Sequence, residues 1–180
     1  MTEPLKVVGY RKSGNHFVRA LLMRGGHDVR QSHLCGPSDI HIVRDPRAIV
    51  VSWICHFILG RPELDPDLIT PHIDTVVEGM TTTKYSKQSW CDYVIKAKEE
   101  SWHTIRYRDL VTDPYETLYP IADIGDAAEI LRTEIQQPGA WDEHKFRQGD
   151  PDGWIDVLSI SQATELAYVF RRGMDAVGLY

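Results

Sequence analysis

Val7-Val8-Gly9-Tyr10-Arg11-Lys12-Ser13-Gly14-Asn15-His16-Phe17 is the stretch on which the fold turns. Leu5 to Tyr10 reads as a buried strand centred on Val7 and Val8, and Arg11 to Asn15 as a polar loop holding Gly14. His16 to Arg24 reads as a helix, with Phe17, Ala20 and Leu21 on one face, ended by Gly25-Gly26. A small-residue turn between a strand and a helix presents backbone N–H groups and a helix N-terminus to an anion. Lys12 adds a mobile positive charge. The same residues also fit a plain strand–helix turn with a solvated Arg11-Lys12 pair.

Working outward, Asp28 to Ser32 is expected to be a second strand. Ile40 to Val43 is a third, running into Arg44-Asp45-Pro46. Pro46 then starts a helix through Phe57, a position where its missing N–H costs nothing. Residues 58–88 hold Pro62, Pro66, Pro71, Gly60 and Gly79 and end in Thr81-Thr82-Thr83. They read as a long, partly irregular excursion with one short helix over Ile73 to Glu78. Ser89 to Glu100 is a helix with Ser89 as N-cap, and Thr104 to Tyr107 a fourth strand. Tyr115 to Ile124 and Ala127 to Gln136 are helical, Gln137 to Ile155 is loop-rich, and Ser161 to Gly173 is a terminal amphipathic helix. Strand and helix pieces alternate, which predicts an α/β layer fold in a single domain over residues 1–180.

Composition narrows the classes. The 180 residues are 42% hydrophobic and 26% charged, ordinary globular usage. A net charge of −6 argues against general nucleic-acid binding, which rests on a positive surface. Three cysteines at spacings that fit no zinc pattern point to a reduced interior without a disulfide framework. Met1-Thr2-Glu3-Pro4 does not read as a signal peptide. The longest apolar stretch breaks at Ser52, short of a membrane span. The expectation is a soluble, cytoplasmic protein with no nucleic-acid or membrane partner. The sequence leaves the oligomeric state open.

Gly9 and Gly14 have the G-x-x-x-x-G spacing of a nucleotide-triphosphate P-loop, but Asn15-His16 follow where that loop needs Lys-Ser/Thr. The lysine sits inside the loop instead. Here the sequence resembles the sulfotransferases that use 3′-phosphoadenylyl sulfate, whose loop reads roughly Tyr-Pro-Lys-Ser-Gly-Thr-Thr-Trp. In Tyr10 to Phe17 the Lys-Ser-Gly matches, Phe17 stands for tryptophan, Arg11 for proline, and Asn15 and His16 for the two threonines. The second segment, Ile40 to Trp53, looks like the family's 3′-phosphate motif: a strand ending in Arg-Asn-Pro and a helical serine eight residues after the arginine. Arg44 and Ser52 match, and Asp45 stands for asparagine. An arginine fork and a hydroxyl suit a phosphate monoester.

Further matches follow in order. Trp90-Cys91-Asp92-Tyr93-Val94 resembles Trp-x-x-His-Val, and Ile105 to Leu110 resembles the Tyr-Glu-Asp-Leu segment, with Asp113-Pro114 after it. Phe146-Arg147-Gln148-Gly149, then Gly153-Trp154, resembles the Arg-Lys-Gly element and its Gly-x-Trp companion, Gln148 replacing lysine. Gln31-Ser32-His33-Leu34 occupies the place of Lys-Thr-His-Leu, where the family's cytosolic members keep a catalytic base. Histidine titrates near neutrality and suits that task. Only Cys35 to Asp39 separate His33-Leu34 from the third strand, fewer residues than the family places there. The acceptor side is therefore open, or roofed by residues 58–88.

The resemblance implies a P-loop-like three-layer sandwich with a central parallel sheet flanked by helices. It implies in-line transfer of a sulfuryl group from 3′-phosphoadenylyl sulfate (PAPS), without a metal, to a hydroxyl or amine of a small-molecule or glycan acceptor. The catalytic residues would be Lys12 and His33, with His56 and His16 as alternative bases. Donor contacts would come from Arg11, Lys12, Ser13, Gly14, Asn15, His16 and Phe17, from Arg44, Ser52, Arg147, Gln148 and Gly149 at the 3′-phosphate, and from Tyr107 at the adenine. Two rival classes share the fold: a P-loop nucleotide kinase-like phosphotransferase and a non-catalytic nucleotide-binding remnant. Histidines 41, 72, 103 and 144 read as surface or structural. Tyr168, Phe170 and Met174 read as core.

Overall fold

The structure, a computed structural model, describes residues 3–60, 64–135 and 151–179. The chain runs β1 (Leu5–Gly9), α1 (Asn15–Arg24), β2 (Val29–Ser32), β3 (Ser38–Val43) and α2 (Pro46–Trp53), which continues as a π-helical turn over Ile54–Ile58. Next come α3 (Pro66–Ile69), a 3-10 turn (Thr70–His72), α4 (Ile73–Thr81), α5 (Trp90–Glu100), β4 (Ser101–Arg106), α6 (Tyr107–Thr112) and α7 (Pro114–Leu118). Three helices close the described chain: α8 (Ala127–Ile135), α9 (Ile160–Val169) and α10 (Arg171–Val177).

Among the described residues the strands form one four-stranded sheet in the order β2-β1-β3-β4, every pair parallel. Strand side chains alternate between faces, and each face has its own core. Val7, Val29, Ile40, Ile42 and Ile105 pack under Leu21 and Leu22 of α1, Leu110 of α6, Leu118 of α7 and Leu131 of α8. Val8 and Val43 point the other way, into Ile49 and Trp53 of α2, Val76 and Met80 of α4, Trp90 and Tyr93 of α5, Leu166 of α9 and Met174 of α10. The result is the predicted three-layer α/β sandwich. His41, in the middle of β3, is fully buried and therefore structural.

Several element boundaries differ from the sequence expectation. Residues 66–81 are regular and packed, with Ile69, Ile73, Val76 and Met80 at helical spacing and all in the core. Their prolines start helical turns: Pro66 is the first residue of α3 behind its cap Asp65, and Pro71 lies in the 3-10 turn before α4. The helix after Pro46 stops being α-helical at Trp53. The fourth strand is earlier and longer than expected, and Tyr107 opens α6 instead of ending the strand. The helix expected over 115–124 ends at Leu118. The terminal helix breaks at Phe170, whose buried ring meets Trp90 edge-on at 5.5 Å, and resumes to Val177. Phe170 and Met174 are core, but Tyr168 is 78% exposed.

Candidate active site

Register brings the singled-out residues to one edge of the sheet. Val8 pairs with Ser32, so Gly9 and His33 leave β1 and β2 side by side. Gly9 pairs with Ile42, so Arg44 leaves β3 beside the β1–α1 loop. This is the carboxyl edge, where open parallel sheets bind ligands.

The loop is tightly wound. The Ser13 N–H donates to Tyr10 O at 3.1 Å, and the N–H groups of Phe17 and Val18 donate to Gly14 O at 2.9 and 3.2 Å. Gly14 is the N-cap of α1 at φ 101°, and no side chain caps the helix. That leaves first-turn amide hydrogens directed toward the loop. Glycine is required at 14 twice over. The backbone is left-handed, and a Cβ there would lie 2.3 Å from Tyr107 Cδ2. Lys12 is the one non-glycine at positive φ among the described residues, at 67°. Ser13 is buried, and its Oγ bonds to no described residue.

Arg44 joins the loop to the start of α6. Its Nη1 donates to Lys12 O at 3.2 Å, and its guanidinium lies 4.5 Å from the Tyr107 ring centroid. Phe17 meets the same ring edge-on at 6.4 Å. The neighbouring Asp45 is engaged on its own helix. Its carboxylate caps α2 by accepting from Arg47 N at 2.8 Å and takes the Arg47 guanidinium at 2.6 Å. Arg47 in turn lies 4.0 Å over the Trp154 ring, tying α2 to the chain before α9. The Lys12 ammonium lies 5.5 Å from the Phe57 ring centroid. Phe57 contacts Trp53 and His56 at 4.8 and 4.6 Å, and Tyr85 stacks on Trp53 at 4.5 Å.

Beneath the loop, burial controls the titratable groups. The Tyr10 hydroxyl is pushed up to about 12 and the Cys35 thiol to about 11, while the His41 imidazole is held down near 4. Tyr93 is raised as well, and its ring meets Tyr10 and His41 at 5.5 and 6.2 Å. In each case the leading cause is desolvation of the charged form.

Lys12, Ser13, Gly14, Asn15, Phe17, His33, Arg44 and Tyr107 thus share one corner. Arg11 and His16 are exposed on the loop and the first turn of α1, and Ser52 is half-buried on α2. Arg147, Gln148 and Gly149 lie outside the described residues. Three features are absent from the sequence expectation. The Asp45–Arg47 pair is signalled by an Asp-Pro N-cap. The left-handed Lys12 and the contact between Asn15 and His33 have no local signal.

No protein-family model matches the chain, and no curated protein matches it significantly. Among solved structures, the crystal structure of mouse sulfotransferase SULT7A1 complexed with PAP is similar over 98% of this chain and 87% of that one. The TM-score is 0.70 and the sequence identity 18%. At that identity the likeness is one of fold. It covers the central parallel sheet with helices on both faces.

Proposed function

We propose that this chain is a sulfotransferase that moves the sulfuryl group of 3′-phosphoadenylyl sulfate to a hydroxyl or amine. The carrying observation is the convergence of Lys12, Arg44 and His33 on one corner from three separate strand ends. The ligand of the similar mouse structure, PAP, favours the same donor class. The corner fits a bisphosphorylated nucleotide: an uncapped helix start, an unpaired buried Ser13 Oγ, a guanidinium and an aromatic face lie together.

In the proposed reaction His33 takes the proton of the acceptor O–H or N–H as the acceptor bonds to sulfur. The bond from sulfur to the bridging phosphate oxygen breaks. Lys12 and the amides of residues 12–17 stabilise the charge that develops on the sulfuryl and leaving oxygens. Arg44 and Ser52, with Arg147, Gln148 and Gly149, are assigned to the 3′-phosphate, and Tyr107 to the base. The acceptor is a small molecule or a glycan, approaching past Phe57 and the segment 58–88.

The test is transfer of radiolabelled sulfate from the donor to a panel of alcohols, phenols, amines and glycans. Label in an acceptor, lost in His33→Ala, supports the reading. Magnesium-dependent ATP consumption without sulfuryl transfer would replace it with the kinase reading.

A further inference from the structure

An aspartate stands next to Arg44, the guanidinium assigned to the 3′-phosphate. Asp45 is the N-cap of α2, and its Oδ1 accepts the Arg47 N–H at 2.8 Å. An asparagine would cap the helix as well, without a charge. A carboxylate there sets a negative charge one residue from a group meant for an anion. A phosphate monoester carries about two negative charges at neutral pH, and like charges repel. The aspartate would also compete with the phosphate for Arg44.

Both carboxylate oxygens are turned onto Arg47. Its Nε donates to Asp45 Oδ1 at 2.9 Å and to Oδ2 at 3.2 Å, and its Nη2 donates to Oδ2 at 2.6 Å. This is the fork geometry that makes arginine–carboxylate pairs strong. The Arg47 and Asp45 side chains are 15% and 18% exposed, so solvent and salt screen the pair little. Arg47 is fixed on its face as well, 4.0 Å from the Trp154 ring centroid. Trp154 follows Asp152, which pairs with Arg108 of α6. A guanidinium held in its plane by a carboxylate and on its face by an indole keeps one orientation. Arg44 is oriented differently, with Nη1 on Lys12 O and its guanidinium over Tyr107. Two arginines three residues apart thus have different tasks: Arg44 serves the loop and Arg47 serves Asp45.

We infer that Arg47 is a positioning residue for anion binding at Arg44. It neutralises Asp45 and holds both of its oxygens, so that an aspartate is tolerated beside a phosphate site. With Arg47 in place, residues 44, 45 and 47 are net positive; without it their charges cancel. That the anion is a 3′-phosphate rests on the sulfotransferase reading, whereas the compensation of Asp45 does not.

The test is titration calorimetry of the full chain with adenosine 3′,5′-bisphosphate and with adenosine 5′-monophosphate. The ratio of the two affinities reads the 3′-phosphate and cancels a general weakening of the fold. Arg47→Met keeps an apolar chain against Trp154 and should lower that ratio at least fivefold. Asp45→Asn keeps the cap and removes the charge, so the ratio should equal or exceed that of the wild type. The double variant Asp45→Asn/Arg47→Met should recover to within twofold of the wild type. An Arg47 that acted only through Trp154, or that bound the phosphate itself, would give no recovery. Failure to recover therefore overturns the inference, as does an unchanged ratio in Arg47→Met. If Arg47→Met does not fold, the double variant decides: a ratio within twofold of the wild type supports the inference, and a lower one overturns it. Recovery in a chain that transfers no sulfuryl group keeps this inference and loses the proposed function. Sulfuryl transfer without recovery does the reverse. Equal affinity for the two nucleotides in the wild type removes both.

Discussion

Lys12 carries two properties that separate substitutions can pull apart. Its ammonium is the charge assigned to the leaving oxygens, and its backbone is left-handed at φ 67°. A side chain at that φ costs roughly 1–2 kcal/mol, a cost glycine escapes. Lys12→Ala and Lys12→Gly should both lose about 10²–10³ in kcat, the usual loss for one electrostatic donor. Urea denaturation should nonetheless find the glycine variant the more stable of the two by about 1 kcal/mol. Unchanged kcat in either variant would remove Lys12 from the chemistry; equal stability would mean the loop relaxes in solution. His41 makes a separate prediction about acid. Burial holds its folded-state value near 4, below the ordinary 6.5. Between those values the unfolded chain takes up a proton that the folded chain refuses. Stability is therefore full above pH 6.5 and falls as the pH drops toward 4. The slope should approach about 1.4 kcal/mol per pH unit, the limit when the unfolded chain binds one proton more than the folded chain. His41→Leu should flatten it in denaturation curves taken across that range, and parallel losses in the two proteins would assign the acid sensitivity elsewhere.

At the scale of elements, one dipeptide recurs. Asp45-Pro46, Asp65-Pro66 and Asp113-Pro114 each start a helix, the carboxylate accepting a first-turn N–H and the proline taking the first helical position. Residues 58–88 read as irregular only while their prolines are taken as breakers; behind an aspartate, Pro66 is a start signal. The helical spacing of Ile69, Ile73, Val76 and Met80 is present in the sequence, and it outweighs proline content because it buries four side chains. Packed against α2 and α5, α4 belongs to the scaffold. Met80→Ala should cost about 2–5 kcal/mol, and amides of 76–81 should exchange slowly in the free protein. Fast exchange there would return the segment to the mobile class. The strand–loop–helix at the front and the Arg44 strand end were legible because each rests on local pattern; the parallel pairing came only with the resemblance. The contact between Asn15 and His33 was not legible, since it depends on β1–β2 register, and period-2 alternation sets a strand's face without naming its partner.

At the scale of the whole molecule, the corner exists only when the sheet is assembled. Its parts come from the β1–α1 loop, the ends of β2 and β3, and the start of α6, and Arg44 touches two of them at once. A ligand held there binds the folded chain and not the unfolded one, so it raises stability by mass action. At a free concentration a hundred times its dissociation constant the gain is about 2.7 kcal/mol, or about 5–11 °C in Tm for a chain of this size. Adenosine 3′,5′-bisphosphate and adenosine 5′-monophosphate differ only in the group assigned to Arg44 and Ser52. Each charged hydrogen bond to that group contributes about 1.5–3 kcal/mol. At equal concentration the bisphosphate should therefore shift Tm by several degrees more than the monophosphate. Arg44→Ala should erase most of the difference, while the shift with the monophosphate falls less, because the loop amides remain. Calorimetric melting of both proteins with each nucleotide makes the comparison. Equal shifts in the wild type would mean that the 3′-phosphate is not read at this corner, and the donor assignment would fall with it.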